Sequence, residues 1–364
     1  MKRMNLKRFL ALAGAMALTL SLSACGGSKD NSNSDAGAAA SDAGTAASDN
    51  ASQGDESGNS DSEGKVYKVA IVKQMDHASL DEIADAICAR LDEIADENGI
   101  TIEYGEVYSG QDGNQDLLNQ IGAQVIADKV DAIIPIASTA AKLMTVAAED
   151  SETPVIFAAV SDPEQAELTG ISYVTGTSDA LNTNFILDMM LAQNPDVKTV
   201  GLLYSLSEDN SVKPIADAKA YLESKNIAYV EATANTTDEV ISAVSTLQGR
   251  VDAIFTPTDN IIMKAELATA PTFIEMGVPH YTGADSFVRN GAFTTCGVNY
   301  TELGAYTADL AYQALTQGMD GMEDYYLMDG GIITVNTETA EALGIDYSVF
   351  NDMGEVVEVQ TTED

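Results

Sequence analysis

From Lys65 onward the chain alternates two kinds of segment almost without interruption, and this alternation limits the folds open to it. Short runs such as VYKVAIV (66–72), DAIIPIA (131–137), PVIFAAV (154–160), TVGLLYS (199–205) and VDAIFTPT (251–258) are apolar nearly throughout. A strand of that composition has to be covered on both faces. Between such runs lie longer segments with helical spacing. In SLDEIADAICARLDEIADENG (79–99), Leu80, Ile83, Ile87, Leu91 and Ile94 share one face. Ser79 and Glu82 there predict a capping box, and Gly99 predicts the stop. The same reasoning predicts helices over 116–129, 138–150, 178–193, 211–226, 236–249, 261–277 and 300–318. It predicts further strands over 101–108, 170–176, 227–234, 279–285 and 291–299. This order specifies an α/β protein whose parallel sheets carry helices on both faces. A chain of 364 residues exceeds what one core usually holds. The pattern runs twice, with VKTVGLLYS and VDAIFTPT echoing VYKVAIVKQ and VDAIIPIA, so two doubly wound lobes of one design are expected.

The segment ahead of Lys65 has another character. Lys2, Arg3, Lys7 and Arg8 precede an apolar run over 9–20 that is too short for a comfortable membrane span. Small residues follow and end in Leu22-Ser23-Ala24-Cys25, which resembles a bacterial lipobox. That reading makes 1–24 a signal peptide and Cys25 the site of diacylglyceryl attachment. Its removal takes away four positive charges and moves the net charge from −39 to −43. Residues 26–64 contain no aliphatic side chain larger than Ala and cannot bury enough apolar surface to offset the entropy of ordering. Residues 25–64 therefore read as a lipidated cysteine on a disordered tether, which places the folded part outside the cytoplasmic membrane.

Several classes of function are excluded. With 57 acidic residues against 18 Lys and Arg, the chain would repel a phosphate backbone, so no nucleic-acid partner is expected. His77 and His280 are its two histidines, too few for a multi-His metal site. Cys25, Cys88 and Cys296 cannot make a disulfide framework, and Cys88 and Cys296 read as buried small hydrophobes. No phosphate-binding loop, dinucleotide fingerprint or nucleophile elbow occurs, so neither an enzyme nor a cofactor is expected.

The chemistry lies instead in polar loops at the strand C-termini, where open α/β sheets hold ligands. They carry Gln74-Met75-Asp76-His77, Ser138-Thr139, Ser161-Asp162, Ser207-Glu208-Asp209-Asn210-Ser211, Thr258-Asp259-Asn260, Asp285-Ser286 and Asn299. Hydroxyls, amides and helix N-termini suit a small ligand carrying a carboxylate and an amine. Ser138 or Asp259 can equally be a plain helix cap. Met75, Phe157, Tyr204 and Phe287 lie near the relevant strand ends as apolar lining.

The runs VAIVKQMDHASLDEI, ISYVTGTSDALNT, VDAIFTPTDNII and GAFTTCGVNYTELG resemble the periplasmic binding proteins of type 1. They are most similar to the ABC-transporter substrate-binding lipoproteins of the tryptophan/tyrosine-binding kind, and the resemblance spans about 65–345. It implies three crossover segments near 174–177, 298–300 and 328–331, with lobe 1 over 65–175 plus 300–328 and lobe 2 over 176–299 plus 330–345. Residues 346–364 run past the usual ending and read as a mostly disordered acidic tail. The resemblance also implies a monomer that captures a small ligand, an L-amino acid with aromatic ones favoured, and delivers it to a membrane permease. Asp285 and Asn299 fall where this group grips ligands at the hinge, with Asp259 the rival for the ammonium. A sensory module, a nucleoside, sugar or peptide ligand, and an extracytoplasmic hydrolase are the alternatives. If Cys25 carries the anchor, Cys25→Ser should release the protein into the medium or leave it unprocessed. Membrane-bound variant of mature size, found on fractionation, would refute the anchor.

Overall fold

The computed structural model describes residues 64–328 and 330–362, so the expected signal peptide, Cys25 and the expected tether up to residue 63 lie outside the described residues. The first part of the chain gives β1 (Val66–Lys73), α1 (Ala78–Asn98), β2 (Thr101–Glu103), β3 (Tyr108–Ser109) and α2 (Gln115–Ala127). It continues with β4 (Ala132–Ile136), α3 (Ser138–Ala148), β5 (Val155–Phe157) and β6 (Val174–Ser178). Then follow α4 (Thr183–Gln193), β7 (Thr199–Tyr204), α5 (Asp209–Ser224), β8 (Ala228–Thr233), α6 (Thr237–Ser245) and β9 (Ala253–Thr256). Next come α7 (Asn260–Met276), β10 (His280–Thr282), α8 (Asp285–Arg289), β11 (Thr294–Val298) and α9 (Tyr300–Gln317). The chain closes with β12 (Tyr326–Leu327), β13 (Gly330–Asn336), α10 (Thr337–Leu343), a 3-10 turn (Ser348–Asp352) and β14 (Val356–Val359).

Two sheets result, each the centre of one lobe. One runs β12-β6-β5-β4-β1-β2, with β3 also on β1, and its pairings are parallel. The other runs β14-β13-β11-β10-β9-β7-β8. Every residue of β4, β5, β6, β9, β10 and β11 is buried, as a strand covered on both faces requires. The chain changes sheet three times, between β6 and α4, between β11 and α9, and between β12 and β13. The second passage brings α9 back across the first sheet, where it packs along α1. The stripe Leu80, Ile83, Ile87, Leu91 and Ile94 is fully buried, each side chain contributing roughly 1.5–3 kcal/mol. Among the described residues, no helix is long and apolar enough to cross a membrane.

The structure departs from the sequence reading at several points. The strand expected over 101–108 is broken in two, with Gly105 at φ 60° between the halves. The helix expected from 178 begins at Thr183, because Asn182 turns its side chain to accept from the Phe185 amide. The capping box does not form: the cap position falls on His77, two residues ahead of Ser79, and Glu82 accepts from the Thr301 hydroxyl instead. A short helix, α8, starts at Asp285 where a strand end was expected. The second sheet is mixed, since β13 lies antiparallel to β11. Cys88 and Cys296 are free thiols on α1 and β11. The acidic tail is ordered over much of its length: Phe350 is buried beside Phe293, with ring centroids 6.0 Å apart, and β14 adds a parallel strand to β13. Buried Phe350 anchors that segment in the core, while β14, none of whose residues is buried, is held by its backbone pairing with β13.

Where α9 crosses α1 the helices touch at Gly304. A Cβ there would stand 2.7 Å from the Ile83 carbonyl oxygen and 2.7 Å from the Ala86 Cβ. Gly304→Ala should therefore lose about 1–3 kcal/mol of stability through overpacking, read as a lower urea midpoint. A midpoint equal to the parent's would mean that the contact is looser than drawn.

Candidate functional site: the interlobe cleft

The C-terminal ends of the two sheets face each other, and the loops there form a cavity shared by both lobes. His77, Ser79, Ser138, Ser161 and Asp179 line it with polar groups, together with Asn210, Thr258, Asp259, Asn260 and Tyr300. Leu80, Met263, Ala284 and Phe287 make the apolar wall. Its free volume is only about 20 Å³, too little for an organic ligand while the lobes stand this close. The lobes come this close because they bond directly. Gln74 Nε2 donates to Glu208 Oε1 at 2.8 Å, His77 Nε2 meets Asn260 Oδ1 at 3.0 Å, and the Ser79 and Ser286 hydroxyls meet. Lys142 Nζ reaches Asp209 at 2.7 Å on the outside. A ligand of amino-acid size can enter only when these bonds part.

Backbone geometry prepares the first lobe's side. Ala137, between β4 and α3, has φ 75°, and Ala159, after β5, has φ 54°; both line the cavity. Left-handed conformations are unusual for alanine and concentrate where a chain must present a particular edge. At Ala137 the turn aims the N-terminus of α3 at the cleft, and the Thr139 amide there donates to Gln74 Oε1 at 2.9 Å.

Three buried carboxylates dominate the electrostatics. Asp179, on the first crossover, accepts from Ser161 Oγ at 2.8 Å and Tyr300 Oη at 3.0 Å. Burial raises its pKa, against the pull of those two bonds. Asp259 caps α7 through the Ile261 and Ile262 amides at 3.1 Å each, and also accepts from the Ser205 amide and Ser211 Oγ at 2.7 Å each. Burial pushes its pKa up too, opposed by those four donors. Glu208 accepts from Gln74 and, at 2.6 Å, from Asn260 Nδ2; burial, then the neighbouring Asp259 charge, raise its pKa to about 8. His77 is driven the other way, to about 4, by burial, and is neutral at pH 7. Among the described residues no Lys, Arg or charged His pairs with any of the three carboxylates, and no group of three or more His, Cys, Asp or Glu could hold a metal.

Of the residues singled out from sequence, His77, Ser138, Ser161, Asn210, Thr258, Asp259 and Asn260 line the cavity. Ser211 supports it from behind through Asp259, and Thr139 through its amide on Gln74. Ser286 meets Ser79 across the lobes. The others lie elsewhere. Met75 is core, Asp76 is exposed and paired with Lys73 at 3.0 Å, and Asp162 holds its own loop through the Gln165 amide. Asp285 pairs with Arg289 at 3.1 Å away from the cavity, and Asn299 caps α9 through the Glu302 amide. Of the apolar candidates, Phe287 lines the cavity, whereas Phe157 is core and Tyr204 bonds Glu231. Asp179 and Tyr300 escaped the sequence reading. The helix expected over 178–193 includes Asp179; Asn182, a good cap residue, is the signal that would have placed Asp179 ahead of the helix.

A protein-family model described as ABC transporter substrate binding protein matches residues 68–352. The chain is 28% identical over 284 residues to the tyrosine-binding protein of Clostridioides difficile (strain R20291), covering 77% of this chain and 81% of that one. Among solved structures it resembles an ABC domain from Streptococcus pneumonia in complex with L-Trp, at TM-score 0.71 and 28% identity over 80% of this chain and 99% of that one. It also resembles the ligand-free, open structure of a substrate-binding protein with adhesive properties from Clostridium difficile, at TM-score 0.60 and 27% identity over 81% and 100%. At near-equal identity the superposition is better on the L-Trp complex than on the open form, in keeping with lobes that touch. Sugar-binding neighbours at 20% identity and below share the fold. Two α/β lobes around a polar interlobe cavity, under a family match running from β1 to the 3-10 turn, place this chain among the ABC transporter substrate-binding proteins, solute binders rather than enzymes.

Proposed function

We propose that the protein captures an L-amino acid with a large apolar side chain, tyrosine or tryptophan foremost, for an ABC importer, working outside the cytoplasmic membrane on a lipid anchor at Cys25. The observation that carries the ligand class is Asp179, a buried carboxylate on the cavity wall whose two partners are hydroxyls and not a cation. A ligand ammonium would supply the missing charge and relieve the cost of burial. The N-terminus of α3 at Ser138 offers amides and a hydroxyl to a carboxylate without a full counter-charge. Leu80, Met263, Ala284 and Phe287 provide the apolar wall for the side chain. The relatives named for tyrosine and L-Trp support the same class. The transport role and the anchor rest on the family match and on the lipobox-like segment. Because ligand must part the lobes to enter and then touches both, binding selects between open and closed forms.

A thermal-shift screen against all amino acids, sugars and nucleosides tests the ligand class. L-Tyr or L-Trp at 100 times its dissociation constant should stabilise the protein by about 2.7 kcal/mol. Asp179→Asn should weaken that binding about 30-fold or more, as loss of one partner of a buried charged pair costs about 2–5 kcal/mol. Parent-like affinity in the variant, measured by calorimetry, would remove the amine from the site. Stabilisation by sugars or nucleosides alone would replace the ligand class.

A further inference from the structure

We propose that Glu208 makes closure of the cleft proton-linked: its carboxyl takes up a proton from solvent as Gln74 of the other lobe closes on it and His77 closes on its neighbour Asn260, so acid favours the closed form. This rests on the geometry of the lobe junction and not on the identity of the ligand.

Glu208 is 4% exposed and sits at the centre of a chain of bonds that crosses between the lobes twice. Its Oε1 accepts from Gln74 Nε2, and that amide cannot turn round because its own oxygen accepts from the Thr139 amide. Its Oε2 faces Asn260 Nδ2 at 2.6 Å, and Asn260 is not pinned in this way. The other end of the Asn260 amide meets His77 Nε2, a ring nitrogen that can donate or accept. Rotating the Asn260 amide end for end lets its oxygen accept an O–H from a protonated Glu208. Its NH₂ then donates to a bare His77 Nε2. Each of these contacts survives, so the junction holds the neutral carboxyl; the imidazole proton then lies on Nδ1, a buried atom without a hydrogen-bond partner.

The surrounding charges favour that neutral form. Asp259, at the start of α7, raises the cost of a charge on Glu208, and four donors to Asp259 keep its own charge in place. His77, from the β1–α1 loop, is neutral. Asp209, at the start of α5, is tied to Lys142 of α3. Opening the cleft takes Gln74 and His77 away and returns Glu208 to water, which removes burial, the largest cause of its shift, and brings its pKa down toward the ordinary Glu range. In the closed form burial and Asp259 hold it at about 8, above the ordinary value of 4.5. Its contribution to closure is therefore complete below the lower value and is lost as pH rises through the upper one.

The protein carries its own reporter. His77 and His280 are its two histidines; His77 is in the junction, while His280 is 1% exposed inside the second lobe and bonded through both nitrogens. Diethyl pyrocarbonate, which modifies unprotonated imidazole, should label His77 only when the cleft opens. We would measure its rate by mass spectrometry on the full chain, without ligand, between pH 6 and 8, relative to N-acetylhistidine. The relative rate at His77 should rise roughly tenfold or more across that range. In Glu208→Gln, whose amide is neutral at every pH, it should stay low and flat. Slow labelling of His280 certifies that each variant is folded; should the variant fail this control, the parent profile alone decides. A flat parent profile, or a folded Glu208→Gln that follows the parent curve, overturns the proposal.

Discussion

Three carboxylates lie buried where the two lobes meet, without a cationic side chain bonded to any of them among the described residues. Much of the local architecture follows from that arrangement. A buried carboxylate has to be hydrogen-bonded or neutralised. Asp259 is met by four donors, from the residue that follows β7, from α5 and from α7, so the charge that caps one helix also ties three parts of the second lobe together. Asp179 has hydroxyls, which leaves it able to accept more. Glu208 has two side-chain amides, one from each lobe, which makes its protonation state a property of how the lobes sit. One chemical group, the carboxylate, thus serves as brace, receptor and latch, according to the donors around it.

The fold was legible because fully buried parallel strands leave a strong mark. DAIIPIA and PVIFAAV can be little else between helical stretches, and the strand C-termini follow from them. Knowing those ends was enough to find His77, Ser138, Ser161, Asn210, Thr258 and Asn260 near one another. Composition could not reveal which way each side chain is spent. Asp285 and Asn299 occupy strand-end positions, but Asp285 gives one oxygen to Arg289 and has the other buried without a partner, and Asn299 is used as the cap of α9. Asp179 went unnoticed because one asparagine, Asn182, moves a helix start by five residues from the 178 expected. The elements β12, β13 and β14 were hard to read because half-exposed strands carry a weaker pattern than buried ones.

The interlobe bonds also bear on selectivity. Lys73 at the end of β1, Lys142 on α3 and Lys264 on α7 stand near the junction, and each is already engaged by an aspartate. Acidic ligands therefore meet buried carboxylates with no spare cation beside them among the described residues. Zwitterions and amines meet the same groups on favourable terms. The apolar wall adds area-dependent attraction for a large side chain without adding charge.

The return of α9 to the first lobe has a consequence for how the molecule is made. The helix that covers α1 lies some 200 positions further along the chain, beyond the whole run of β7 to β11. The strand β12, which edges the first sheet, comes later still. A chain emerging from its N-terminus cannot finish its first lobe until the sequence of the second has emerged. Until then the Leu80–Ile94 stripe has no α9 to cover it, a state prone to association. A protein thrown across a membrane as an unfolded thread would meet this interval on the far side, where its large negative charge keeps such threads apart.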